Sequence, residues 1–316
     1  MRRGVGLVLV AALAAVGSCD TTEEPAREPL PRAAASSVAA RAAVALDDAG
    51  HGPGGANSAE VATAAAAFLA TLDTGRRERA HRALGDHRGR QTWSDHAASA
   101  VPRPGIALAE LSPVQHAAAL KVLEAALSDS GYAEVTRRMP GDAHLAVYGT
   151  PAASTPFVVQ LGGEHLARNL TYRGDQVSMT PSLTGADPAN SATTRAVLAA
   201  LTEQERVAAR LSTGVSDDLV MGPGHDAGDF PDPEGLLVSE LADKVRRQVT
   251  ALLAAHTGDL AAPAGDRLLA AYRAEFPRTR LSWTDSYLRV DGPAGWIEVL
   301  GDVAVFRDKT NDYGSS

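Results

Sequence analysis

From Ser58 the apolar positions recur every three to four residues. Val61, Ala65, Phe68 and Leu72 share one side of SAEVATAAAAFLATL, which predicts an amphipathic helix with Ser58 and Glu60 in its first turn. Arg76 to Leu84 continues this helix or begins another. A further helix is framed more sharply: Ser112 reads as its N-cap, Pro113 as its first helical residue, and Leu120, Leu123 and Leu127 as its apolar face. Ser130-Gly131-Tyr132 is expected to break it before a shorter helix that ends near Met139. Residues 190–212 return to the helical period, with Leu198, Leu201, Val207 and Leu211 inward and Thr202 with Glu205 as a capping box. A long amphipathic helix is expected from Leu236 to His256, and another from Ala264 to Phe276.

Between and after these helices the period falls to two. HLAVYG at 144–149, Phe157 to Leu161, Leu166 to Tyr172 and Gln176 to Met179 read as strands, with a turn at Gly174-Asp175. Gly162-Gly163 suits a bend or a close backbone approach. The end of the chain, residues 280–308, predicts three strands with turns at Asp291-Gly292-Pro293 and Gly301-Asp302. The pattern gives an α+β fold: an antiparallel sheet from the central hairpin and the C-terminal strands, packed by several amphipathic helices. No internal repeat stands out.

The N-terminus has a different character. Arg2 and Arg3 precede a short apolar run, and Val16-Gly17-Ser18-Cys19 closes it, the arrangement of a secretory signal peptide at 1–18 with lipid expected on Cys19. Residues 19–57, rich in Ala, Pro and Gly, read as a tether, within which 35–47 has the composition of an alanine-rich helix. Residues 58–314 then form a single globular domain. With one cysteine, neither an internal disulfide nor a thiolate zinc site is available. The formal net charge is −8, and there is no dense Lys/Arg stripe, which argues against a nucleic-acid partner. The expected partners are a bacterial membrane, through the lipid, and a small-molecule or cell-envelope ligand.

Candidate chemistry concentrates in three places. In the central hairpin, Glu164 and His165 follow the paired glycines, with Asn169 read as sharing a sheet face with His165. In the loop LVMGPGHDAGDFPDPEGL, His225, Asp226 and Asp229 stand beside four glycines or prolines of a tight turn, a cation or ligand site in prospect. Near the C-terminus, Tyr287, Arg289 and Glu298 have polar ends able to converge, and Arg307 can pair with Asp308 or Asp312 or meet an anion. There is no Gly-x-Ser-x-Gly elbow, phosphate-binding loop or dinucleotide fingerprint.

Taken together, Trp93, LSPVQHAAALKVLEAALSDSGY, GGEHLARNLTYRGDQVSMTPSLTG, YLRVDGPAGWIE and RDKTNDYG make the chain resemble the bacterial DUF3500 family over roughly residues 60–314. The resemblance implies no established reaction, substrate or cofactor. It does imply a comparison, because the family pattern carries two adjacent histidines in the glycine-rich block and a His-x-His before the terminal Arg-Asp. Here those positions read Glu164-His165 and Gly301-Asp302-Val303. A metal site in this chain would fall to His165, Glu164, His225, Asp226 and Asp229, with a divalent metal as the candidate cofactor. Three readings follow: a metal-assisted hydrolase-like enzyme using Glu164 or Asp226 as base, His165 as ligand or proton shuttle and Arg307 or Arg289 as anion partner; a non-catalytic binder of a small ligand; and a structural envelope lipoprotein.

Overall fold

A computed structural model describes residues 53–212, 218–225 and 229–314. The signal pattern, Cys19, the tether up to residue 52 and Asp226 lie outside the described residues. The chain is α+β, with helices α1 (Ser58–Ala70), α2 (Thr74–Ala80), α3 (His87–Gln91), α4 (Pro113–Ala126), α5 (Asp129–Arg138), α6 (Pro188–Ala200), α7 (Glu203–Ala209), α8 (Asp243–Thr257) and α9 (Ala264–Ala274). Twelve strands form one sheet: β1 (His81–Arg82), β2 (Ile106–Ala107), β3 (His144–Tyr148), β4 (Phe157–Gly163), β5 (Leu166–Arg173), β6 (Gln176–Ser178), β7 (Ser182–Thr184), β8 (Leu236–Leu237), β9 (Arg280–Thr284), β10 (Tyr287–Asp291), β11 (Gly295–Leu300) and β12 (Val303–Asp308).

The order in space is β1-β3-β4-β5-β7-β12-β11-β10-β9-β8, and it has an internal symmetry. The first half runs α1, α2, β1, a long loop, β2, α4, α5 and the meander β3-β4-β5-β7. The second runs α6, α7, a second long loop, β8, α8, α9 and the meander β9-β10-β11-β12. The registers agree residue by residue. Ile106 pairs with Leu145 as Leu236 pairs with Leu281. Leu108 N–H donates to Ala143 O at 2.8 Å, and Val238 N–H donates to Thr279 O at 2.8 Å. His81 opposes Val147 in parallel, and Arg210 opposes Trp283 in the same way. Followed across the sheet, the pairing equates Leu161 with Val290, Arg168 with Ile297, and Ser182 with Phe306. Ser182 and Phe306 also pair with each other across antiparallel β7 and β12, so a pseudo-twofold axis passes between them.

With this frame in view the sequence shows the duplication. GIALAEL at 105–111 matches GLLVSEL at 235–241, and Phe68, Leu72 and Ala80 of α1–α2 match Val197, Leu201 and Ala209 of α6–α7, all buried. Asp73 and Thr202 cap the corresponding second helices, accepting from Arg76 N–H and Glu205 N–H. Few identities survive outside these points, which is why the chain shows no repeat when scanned for period alone. Three boundaries also differ from expectation. Residues 236–240 form β8 and a 3-10 turn, so the long helix starts only at Asp243. Ser130-Gly131-Tyr132 lies inside α5, and the break falls at Leu127-Ser128, where Ser128 caps α5. The C-terminal region holds four strands rather than three, because Asp285, at φ 34°, turns the chain between β9 and β10.

Alternation along the strands gives the sheet two unlike faces. On one, Leu145, Val159, Leu170, Leu288, Ile297 and Phe306 join the helices in the main core. There α1 packs on α4 and, in the matching place, α6 on α8. The other face carries Gln160, Asn169, Arg289, Asp291, Glu298 and Arg307, all buried, and it is covered by the two long loops, the first carrying the short helix α3, and by the C-terminal tail.

Gly105 and Gly235 open the corresponding β2 and β8, both at φ +97°. A Cβ at either one would lie inside contact distance of a strand carbonyl, Leu145 O or Leu281 O. Gly105→Ala and Gly235→Ala are therefore expected each to lower stability by ~2 kcal/mol or more in denaturant titration, combining left-handed strain with a backbone clash. Gly141→Ala, where a Cβ meets nothing within 4 Å, is the control. Equal midpoints for all three would contradict the paired constraint.

Candidate functional site

The loop-covered face is where the sheet meets polar chemistry. In the first half Gln160 and Asn169 sit opposite one another on β4 and β5. Gln160 Nε2 donates to Asn169 Oδ1 and to Arg90 O, both at 2.8 Å, and Tyr148 OH donates to Gln160 Oε1 at 2.7 Å. Asn169 Nδ2 donates to Pro181 O at 2.7 Å. The equivalent pair in the second half is Arg289 and Glu298, opposite on β10 and β11. Glu298 accepts from Met221 N–H at 2.6 Å, Val220 N–H at 2.8 Å and Tyr287 OH at 3.1 Å. Arg289 donates to Asp232 O at 3.2 Å. Each half thus uses a buried polar pair to hold down its own long loop.

Arg307, fully buried on β12, fastens the centre. Its Nε donates to Asp312 Oδ2 at 2.5 Å and its Nη1 to Met221 O at 3.2 Å and His225 O at 3.0 Å. The guanidinium lies over the rings of Trp93 and Phe230, at 5.8 and 5.7 Å from the centroids. Of the two partners expected for Arg307, Asp312 is the one it meets. Asp308 faces the opposite way and accepts from Tyr272 OH at 2.5 Å. Trp93 Nε1 donates to Tyr313 OH at 2.7 Å, and Tyr313 N–H to Thr180 O at 2.8 Å, so the tail is stitched down from both sides.

Between the two loops lies a cleft of about 520 Å³. The first loop supplies Gln91 to His96 and Val101, the second supplies Asp218, Leu219, Pro223 and Gly224, and Leu300 and Val303 of the β11–β12 hairpin close one end. Arg103 shapes the first wall: buried, it donates Nη2 to Ser94 O at 3.1 Å and also bonds the His96 carbonyl. Its stem lies on Gly162, where a Cβ would come 3.3 Å from Arg103 Cδ. The close approach anticipated for the paired glycines is therefore real, and Gly162 and Gly163 stay within strand β4 rather than bending it.

His165 is not a strand residue. It occupies the β4–β5 turn at φ 59°, a conformation uncommon outside glycine, and does not share a face with Asn169. Its half-exposed ring is held by Asp95, with Nδ1 and Oδ1 2.9 Å apart. Backbone bonds fix the same turn, from His165 N–H to Asp95 O at 3.1 Å and from Gly185 N–H to His165 O at 2.8 Å. Gly185 leaves the space for this pair, since a Cβ there would collide with Asp95 Oδ1. Asp95 also lines the cleft, so the His–Asp pair stands at its edge.

The other candidates separate. Glu164 is exposed, and its backbone N–H donates to Asp142 Oδ1 at 3.0 Å. His225 and Asp229 are exposed on the second loop, 3.9 Å apart at their nearest polar atoms. Among the described residues no group of three or more His, Cys, Asp or Glu is placed to hold a metal ion. The metal set of Glu164, His165, His225 and Asp229 does not assemble, and the Nδ1 of His165 is committed to Asp95. Arg289, Glu298, Arg307, Asp308 and Asp312 are fasteners of loops and tail rather than groups presented to a ligand. Asp95 and Arg103 carried no signal of spacing: their importance comes from contacts 70 and 60 residues away in sequence.

The profile of the family described as "Protein of unknown function (DUF3500)" matches residues 54–315. The chain belongs to the DUF3500 family. No curated protein and no solved structure is detectably similar to it. The matched residues include the whole described sheet, both halves of the duplication and both loops, so the cleft of this DUF3500 chain lies inside the matched span.

Burial pushes the Glu298 carboxyl above its ordinary range, against the pull of the Met221 and Val220 N–H groups. The folded chain therefore holds this proton more tightly than the unfolded chain does. Charged Glu298 subtracts stability at neutral pH, and that loss is relieved as pH falls through the raised value, above 4.5. Glu298→Gln is expected to compare more favourably with the parent chain at about pH 7 than at about pH 5 in thermal melts. A difference that stays flat over that interval would contradict desolvation of the carboxylate.

Proposed function

We propose that this DUF3500 domain is a receptor for a small organic ligand, which it binds in the cleft between its two long loops. The observation that carries this reading is the cleft itself. Its volume, about 520 Å³, falls in the range of ligand sites. Both its walls are pinned to buried polar groups of the sheet, so it is preformed. Its lining mixes apolar surface from Val101, Leu219, Leu300 and Val303 with the polar groups of Gln91, Thr92, Asp95 and His96.

A second reading adds catalysis, and the Asp95–His165 pair favours it. A carboxylate bonded to one ring nitrogen orients the imidazole, while the other nitrogen is left for acid–base work. In that case the cleft ligand is also a substrate, and His165 serves as its general base without the metal set once expected around Glu164. The protein would work outside the cytoplasm, held by lipid on Cys19. The Val16-Gly17-Ser18-Cys19 pattern supports this placement.

Ligand-observed NMR with a fragment library gives the direct test. Hits on the parent chain should disappear in Val303→Trp, which fills the cleft, while the melting temperature stays near that of the parent. Hits indifferent to Val303→Trp would overturn the cleft as receptor. If a hit is turned over, His165→Gln should cut the rate by 10²-fold or more, about what a general base contributes, with little change in binding. Unchanged turnover would leave the binding reading alone. For location, Cys19→Ser should move the protein from the membrane to the soluble fraction of the cells that express it; persistence in the membrane fraction would sink the lipid anchor.

A further inference from the structure

The pseudo-twofold assigns the cleft a counterpart in the first half, and that counterpart is filled. Leu300 pairs with Val303 across β11 and β12. Because the register equates Arg168 with Ile297, Thr171 on β5 occupies the level of Leu300, and its cross-strand partner is Ser178 on β6. Both pairs point to the loop-covered face and lie below glycine turns of like conformation, Gly174 at φ 58° and Gly301 at φ 56°. Over Leu300 and Val303 the cleft is open. Over Thr171 and Ser178 sits the chain's own tail, with Ser178 Oγ donating to Asn311 O at 2.6 Å and Gly314 packed so closely on Thr171 that a Cβ has no room. Trp93 is the wall between the two places, since it lines the cleft and bonds Tyr313 OH.

We propose that the cleft is the twin of the tail's seat and receives a short peptide-like segment bearing a protonated amine. The shape class follows from the twin, which holds a polar turn of backbone from Asn311 to Gly314. The charge follows from where the halves differ. The tail's acid, Asp312, is met by Arg307; the residue equivalent to Arg307 in the first half is Leu183, buried in an apolar cluster with Trp93 and Leu219. The cleft's lining includes Asp95 from one loop and Asp218 from the other, and no lysine or arginine. An acidic ligand would meet like charge there, and a basic one would meet opposite charge in a partly desolvated cleft.

This inference rests on the cleft being a ligand site, and the test separates the two. Isothermal titration of the full mature chain would use acetyl-Gly-Lys-Gly-amide, acetyl-Gly-Asp-Gly-amide and cadaverine. The lysyl peptide should bind, the aspartyl peptide should bind about tenfold more weakly or not at all, and Asp95→Asn or Asp218→Asn should each weaken the lysyl peptide by about tenfold with melting temperature retained. Equal affinity for the two peptides would overturn the charge assignment. Cadaverine binding as tightly as the lysyl peptide would overturn the peptide-like class. No binding of the lysyl peptide, while other fragments are still displaced by Val303→Trp, would overturn this inference and leave the receptor reading standing.

Discussion

A carboxylate or guanidinium placed in the middle of a sheet face must find partners there or be expelled, because an unmatched buried charge costs several kcal/mol. Glu298, Arg289 and Arg307 meet that demand with the backbone of Val220, Met221, His225 and Asp232 and with Asp312. The loops are held in place because the sheet's polar groups require their amides and carbonyls. The same logic runs through Gln160 in the first half, with uncharged groups. The cleft, its two walls and the seating of the tail all descend from this requirement, which the apolar helix-packed face does not impose.

The duplicated architecture explains why two loops converge on one place. An axis through Ser182 and Phe306 carries each half's long loop onto the same side of the sheet. The halves have since diverged where it matters for chemistry. The first keeps an amide pair and the second a charged pair. The first hairpin lies under the C-terminal tail, and the second faces open space. Asp95 comes from the first loop alone and meets a histidine in a strained turn of the β4–β5 hairpin.

Much of the frame was legible in the chain. The α+β class, the Ser112 and Thr202 caps, the Gly174-Asp175 and Gly301-Asp302 turns and the pairing of Arg307 with Asp312 follow from local rules of period, capping and charge. The failures have a common physical origin in tertiary context. His165 read as a strand residue because its neighbours alternate, yet the two-residue turn takes it out of the strand. Glu164, His165, His225 and Asp229 read as shared ligands, but among the described residues no three such groups gather around one point. The four-strand C-terminal meander was read as three because SWTDSYLRV has no glycine or proline where Asp285 turns it. The duplication hid because its conserved points, such as Gly105 and Gly235, are single residues whose value lies in how close a carbonyl comes.

The short outer strands have a consequence of their own. A twelve-stranded sheet would ordinarily end in two long rows of unpaired amides, and such rows invite another molecule to extend the ladder. Here one rim is broken into β1 and β2, two residues each and running in opposite senses along β3, and the other into β8 and the lone Arg210 bridge along β9. Among the described residues neither rim offers a continuous template, so this wide sheet presents no long edge from which fibrils could readily start.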